Sequence, residues 1–138
     1  MKKFTQILTI IAAGSLLLAA CGGANPASAG KTIVITPAIK GNSASLAVGD
    51  TLEIKIPTIP KEGFSWEAQE LDTSIVRQEG SAAYTADTSP NSAGGMVTLL
   101  FKAVGAGNTT ITLLYVKPAT DDLPSVSSNS FSVTVDVK

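Results

Sequence analysis

From Lys31 onward, polar and apolar residues alternate with a period of two rather than 3.6. Thr51-Leu52-Glu53-Ile54-Lys55-Ile56 alternates without a fault, as a strand with one face in a core should. Phe131, Val133, Val135 and Val137 alternate in the same way with Ser132, Thr134, Asp136 and Lys138. Val97, Leu99, Phe101 and Ala103 form one apolar face of a further run; its other face, Met96, Thr98, Leu100 and Lys102, is mixed, which predicts a central strand. Residues 109–116 are rich in β-branched and aromatic side chains, and residues 32–35, 64–68 and 74–77 are shorter strand candidates. Val48-Gly49-Asp50 marks a turn before the first clear strand, and Gly105-Ala106-Gly107-Asn108 predicts a hairpin between two long ones. Helical spacing is absent from this part of the sequence. About seven short strands, with the one Trp on an early strand, predict an all-β, immunoglobulin-like β-sandwich. An open barrel satisfies the same periodicity.

The N-terminus breaks the pattern. Lys2 and Lys3 precede an uncharged apolar stretch, residues 7–20, interrupted only by Thr9, Gly14 and Ser15. This is the anatomy of a secretory signal, and it is short for a transmembrane helix. It ends in Leu18-Ala19-Ala20-Cys21, which resembles a bacterial lipobox, in which the Cys is lipidated and becomes the first residue of the mature protein. Several acyl chains on Cys21 would meet the requirement for stable membrane anchoring. Gly22 follows the Cys, which in a Gram-negative envelope resembles an outer-membrane sorting signal. Residues 22–30 (GGANPASAG) are small, uncharged and aperiodic, and read as a flexible tether of roughly 15–18 Å root-mean-square span. The expected organisation is therefore a signal peptide (1–20), a lipidated Cys with its tether (21–30) and a sandwich domain (31–138). The expected location is the cell envelope, facing the periplasm or the exterior.

Composition narrows the chemistry. Ten Lys and Arg against eleven Asp and Glu give a net charge of −1, with no basic footprint for nucleic acid. Signal cleavage would remove Lys2 and Lys3 and leave a mildly acidic exported chain. The absence of His removes Ser-His and Cys-His catalysis and every His-containing metal site. A single Cys makes no internal disulfide, and once lipidated it is no nucleophile. No cofactor or metal is expected, and the protein is expected to be a monomer and not an enzyme. Asp121, Asp122 and Asp87 lack the spacing of a calcium loop, and Glu67, Glu70, Asp72 and Glu79 have nothing to place two of them in a cleft. The aromatic residues Trp66, Phe64, Phe101, Tyr115 and Phe131 fall on predicted strands and are expected mainly in the core rather than on a carbohydrate platform. The Ser-rich residues 125–130 read as a flexible loop.

Three segments between strands carry the candidate chemistry, because loops on a rigid sandwich are where binding concentrates. They are residues 57–63, 87–95 and 117–129. In the first, Ile59-Pro60-Lys61-Glu62-Gly63-Phe64-Ser65-Trp66 resembles the first binding loop of the chagasin family, Asn-Pro-Thr-Thr-Gly followed by an aromatic, one residue and Trp. The second, Ser92-Ala93-Gly94-Gly95, matches the last two glycines of the family's Gly-x-Gly-Gly. The third, Tyr115-Val116-Lys117-Pro118-Ala119, keeps the Tyr, a basic residue and the Pro of a loop that opens Arg-Pro-Trp in the family. With the Val48-Gly49-Asp50 lead-in and Lys102-Ala103-Val104-Gly105, the resemblance runs from about residue 46 to residue 138.

The family inhibits papain-like cysteine peptidases, and the resemblance implies non-covalent occlusion of the peptidase cleft by three loops at one end of an immunoglobulin-like fold. Ile59, Pro60, Lys61, Glu62, Gly63 and Phe64 would then sit over the catalytic thiol, with Ser92, Ala93, Gly94 and Gly95 on one side and Lys117, Pro118 and Ala119 on the other. The chain departs from the family at Ile59, Lys61, Glu62 and Ala119. Charges at Lys61 and Glu62 would each cost several kcal/mol in order-of-magnitude terms if buried unpaired. A Trp at the Ala119 position would be the kind of anchor that contributes about 2 kcal/mol or more, so its loss predicts weaker or redirected binding. The rival expectation is a structural or adhesive envelope module that kept the sandwich and lost inhibition.

Overall fold

The computed structural model describes residues 30–37, 42–61, 63–122 and 124–138. The expected signal peptide, Cys21, the tether up to residue 29 and Glu62 lie outside the described residues. The strands, in chain order, are β1 (Thr32–Ile35), β2 (Ser43–Leu46), β3 (Thr51–Thr58), β4 (Ser65–Gln69), β5 (Val76–Ala86), β6 (Gly95–Ala103), β7 (Gly107–Lys117) and β8 (Val126–Val137). They form two four-stranded sheets with orders β1-β3-β6-β5 and β2-β8-β7-β4. The strands divide into two separate sheets, so the fold is a sandwich and the open-barrel alternative falls. β6 lies between β3 and β5, as the mixed second face opposite its apolar one predicts.

The alternating residues meet between the sheets. Leu52, Ile54 and Ile56 of β3 and Val97, Leu99, Phe101 and Ala103 of β6 face Ile111, Leu113 and Tyr115 of β7 and Phe131, Val133, Val135 and Val137 of β8, and all are buried. Each fully buried aliphatic or Phe side chain contributes about 1.5–3 kcal/mol relative to exposure. No charged or polar residue is buried among the described residues, so this core is held by packing and backbone ladders rather than by buried ion pairs. Trp66 is only 5 % exposed, which places it in the core.

Three readings from periodicity need correction. β2 was not visible because Ser43-Ala44-Ser45-Leu46 buries only Ala44 and Leu46, and it stands as a strand by pairing parallel to β8. Of the short candidate at 74–77, Ser74 and Ile75 lie in a turn and Val76 opens the eleven-residue β5, an edge strand so exposed that it needs little apolar patterning. Its pairing with β6 shifts register between Glu79 and Ala83, and Gly80 there has φ 72°. The Ser-rich segment is not a flexible loop from Val126 onward: it opens β8, with Tyr115 paired to Asn129 and Lys117 to Val126. Backbone pairing extends beyond the packed core there, and hydroxyl side chains serve it as well as apolar ones.

The ladders define two poles. At one, Thr58 pairs with Gly95, Ala86 with Gly95, Ser65 with Val116 and Lys117 with Val126. The other gathers the β2–β3 turn, the β6–β7 turn and the chain's last residue. Gly49 N–H donates to Ala103 O (2.8 Å) and Val48 N–H to Lys138 O (3.1 Å). Lys31 N–H donates to Asp50 Oδ1 (2.8 Å) at this second pole, and Ala47 N–H to Asp50 Oδ2 (2.9 Å). These two donors, Ala47 first, hold the Asp50 carboxyl below its ordinary pKa.

Candidate functional site: three loops at one pole

Because of this register, the chain leaves the sandwich after Thr58, after Ala86 and after Lys117 at the same pole. The first loop crosses from one sheet to the other and touches both its neighbours. Its entry is stiffened by Pro57 and Pro60, whose rings restrict φ. Phe64 N–H donates to Lys61 O (3.1 Å), closing the turn, and Gly63 supplies φ 75° within it.

A braced aromatic cluster lies beneath this turn. Tyr115 Oη accepts the Lys61 N–H at 2.9 Å and lies 3.5 Å from Ile59 O, to which it donates. Phe64 and Trp66 both lie against the Tyr115 ring, each with a centroid separation of 5.3 Å. Trp66 Nε1 donates to Thr58 Oγ1 (2.9 Å), and that hydroxyl donates to Ile56 O (3.1 Å). A Tyr or Trp buried at a sheet junction needs a partner for its polar tip, and here both tips bind the first loop or its root. The role of Tyr115 escapes a reading of the sequence as a line. Its inward position on β7 beside Trp66 becomes visible only once Trp66 is paired with Tyr115 across the β4–β7 ladder.

Above the cluster, Ile59 is 69 % exposed and forms an apolar tip. Pro60 and Lys61 are exposed, and Phe64 is half-buried. The Lys61 ammonium lies 5.7 Å from the Phe64 ring centroid, a cation–π contact at the surface rather than a buried charge.

The second loop is closed by Asp87 N–H donating to Gly94 O (2.9 Å). Inside it the Asp87 carboxylate accepts Ser89 N–H (2.9 Å) and Ser89 Oγ–H (2.7 Å). The Ser89 side chain first, then the Ser89 backbone and the Ser92 side chain, lower the Asp87 pKa. Asp87 is therefore a loop brace rather than part of a metal site. Among the described residues no group of three His, Cys, Asp or Glu side chains comes together to hold a metal. Ser92 and Ala93 are exposed, while Gly94 and Gly95 are half-buried. The space a Cβ would take at Gly95 is filled from within, by the Thr85 carbonyl and by Tyr84 Oη at 2.6 Å. An open groove of about 620 Å³ separates this loop from the first, lined by Pro57, Thr58, Ile59, Asp87, Gly94 and Met96 among others.

The third loop begins as β7 ends. Lys117 is half-buried because its alkyl chain lies over Gly63, where an added Cβ would be 3.0 Å from Lys117 Cε. Pro118 and Ala119 are exposed beyond it. The structure thus gathers Ile59, Pro60, Lys61, Gly63 and Phe64 in the middle, Ser92 to Gly95 on one flank and Lys117, Pro118 and Ala119 on the other; Glu62 and Cys21 are outside the described residues.

Comparison with solved structures finds the same fold in other proteins. The cysteine protease inhibitor EhICP2 from Entamoeba histolytica aligns with a TM-score of 0.63 at 19 % identity, covering 78 % of this chain and 96 % of that one. Amebosin aligns with a TM-score of 0.56 at 21 % identity, covering 78 % and 98 %. No curated protein matches the sequence significantly. Residues 45–135 match the family described as chagasin family peptidase inhibitor I42, a span that takes in all three loops and every strand from β3 to β7. The chain therefore belongs to the chagasin family, whose members are inhibitors of peptidases and not enzymes.

Proposed function

We propose that this protein is a membrane-anchored inhibitor of papain-like cysteine peptidases that blocks the active-site cleft with its three loops and forms no covalent bond. The observation that carries this reading is the braced first loop, standing between the other two at one pole and held from below by Tyr115. A loop ordered before binding loses little conformational freedom on entering a cleft. Ile59 to Phe64 would cover the catalytic thiol, Ser92 to Gly95 one wall, and Lys117 to Ala119 the other. EhICP2 is a cysteine protease inhibitor with the same fold, which supports the choice of target class. Ile59 brings an apolar tip to the cleft, and Lys61 reaches it with its ammonium already resting on Phe64.

The same reading makes residues 1–20 a signal peptide and Cys21 the lipidated residue, with the domain held at the cell envelope, on the outer membrane in a Gram-negative cell. Its support is the order of basic start, apolar run and Leu18-Ala19-Ala20-Cys21.

The test is a titration of residues 22–138 against papain and a cathepsin L-like enzyme. Reversible inhibition is expected, and it should weaken when Pro60 to Gly63 is replaced by an unrelated loop of equal length. No inhibition at tens of micromolar rejects the reading and favours a structural envelope module.

A further inference from the structure

We infer that the anchored protein cannot turn its three loops onto the membrane, so that they capture a peptidase whose cleft is open to the surrounding compartment and not one whose cleft lies against the same bilayer. This rests on the lipid anchor proposed above and adds the direction in which the inhibitory pole cannot point.

The argument is geometric. The domain joins its N-terminal segment at the pole opposite the loops. Lys31 is held there by Asp50, Thr51 N–H donates to Lys31 O (2.8 Å), and β1 begins beside the start of β3, with Thr32 paired to Thr51. From that pole β7 runs eleven residues to Lys117, about 33 Å at about 3.3 Å per residue, and the loops project beyond its end. Cys21 and Gly30 are nine residue steps apart. Even fully extended it spans at most about 32 Å, at up to about 3.6 Å per residue.

To turn the loops onto the bilayer, that segment would have to climb the whole length of the sandwich, which it cannot do with lipid at one end and Gly30 at the other. A peptidase seated on the loops would add its own thickness to the distance. Upright and side-lying orientations remain open to the anchored domain. The inverted one is closed, and with it any target whose cleft lies against the membrane surface.

The test uses the full lipoprotein in phosphatidylethanolamine–phosphatidylglycerol vesicles, compared with the unlipidated chain beginning at Gly22. Papain should be inhibited by both with constants agreeing within about twofold. More than tenfold weaker inhibition by the vesicle-bound form overturns the inference. A second measurement does not depend on inhibition. Fluorophores placed through Ser92→Cys at the loop pole and Ala106→Cys at the opposite pole, both exposed positions, are quenched by a headgroup-labelled lipid. Quenching at position 106 equal to or stronger than at position 92 supports the inference even if neither form inhibits papain, an outcome that would remove only the proposed target. Stronger quenching at position 92 overturns it, as does failure of the full protein to partition with the vesicles.

Discussion

The phenolic oxygen of Tyr115, at the inward face of β7, accepts the backbone N–H of Lys61 at 2.9 Å although 54 residues separate them in the chain. A core aromatic thus sets the height and tilt of the exposed loop above it. Tyr115→Phe keeps the ring between Phe64 and Trp66 and removes only the brace. A single hydrogen bond of this kind is worth about 0.5–1.5 kcal/mol, so inhibition should weaken about threefold to tenfold. A small fall in melting temperature should accompany it. Thr112→Ala, which removes the Thr112–Ser132 contact (3.3 Å) on the outer face of the sheet, is the control and should leave inhibition unchanged. If both variants inhibit alike, the brace is structural only.

The two glycines of the second loop should behave differently. At Gly95 a methyl group would collide with the Thr85 carbonyl, which is backbone and cannot swing aside. Gly95→Ala is expected to destabilise the domain by about 1–3 kcal/mol, as over-packing does. At Gly94 the nearest atom to an added Cβ is Thr58 O at 3.4 Å, an ordinary contact. Gly94→Ala should therefore leave stability nearly unchanged and act, if at all, on inhibition. Thermal melts and peptidase titrations of the pair separate the two roles.

Ala119 is exposed at the opening of the third loop, where the family resemblance places a Trp. If this loop grips a peptidase wall, Ala119→Trp should strengthen inhibition by at least about tenfold, since buried aromatic anchors commonly carry about 2 kcal/mol or more. Unchanged affinity in a titration would mean that the third loop stays out of the interface.

Acid sensitivity follows from the aspartates that cap turns. Asp50, Asp72 and Asp87 each accept hydrogen bonds, chiefly from Ala47, Ser74 and Ser89 respectively, and each has its pKa lowered from 3.8. A depressed folded-state pKa means that the unfolded chain binds the proton first. The stability these groups supply is complete above pH 3.8 and is lost as pH falls through their lower folded values. Asp50→Asn should be less stable than the parent near neutrality, and the two melting curves should converge as the pH is taken below that value. A constant gap across the range would show that Asp50 contributes nothing through its charge.

Strict alternation in β3, β6, β7 and β8 made the sandwich and most of its core legible in the sequence, because in a strand with one buried face the side-chain pattern is the packing. Where packing does not constrain side chains, the pattern was silent. Short β2, exposed β5 and the hydroxyl-rich start of β8 are held by ladder hydrogen bonds that any residue can make. The loop residues were legible as candidates through Pro60, Gly63, the Gly94-Gly95 pair and Pro118, since these types answer to local backbone demands.

Their assembly was not legible. That three segments share one pole, that Tyr115 reaches Lys61, that Lys117 lies over Gly63 and that Tyr84 fills the space at Gly95 all depend on which strands are neighbours and in what register. The sequence alone determined the strand faces, the likeness of the loops and the lipobox-like start, because each is a local pattern. Only the tertiary structure decided that the loops form one surface and that the N-terminal segment joins the opposite pole, because both follow from contacts between residues far apart in the chain.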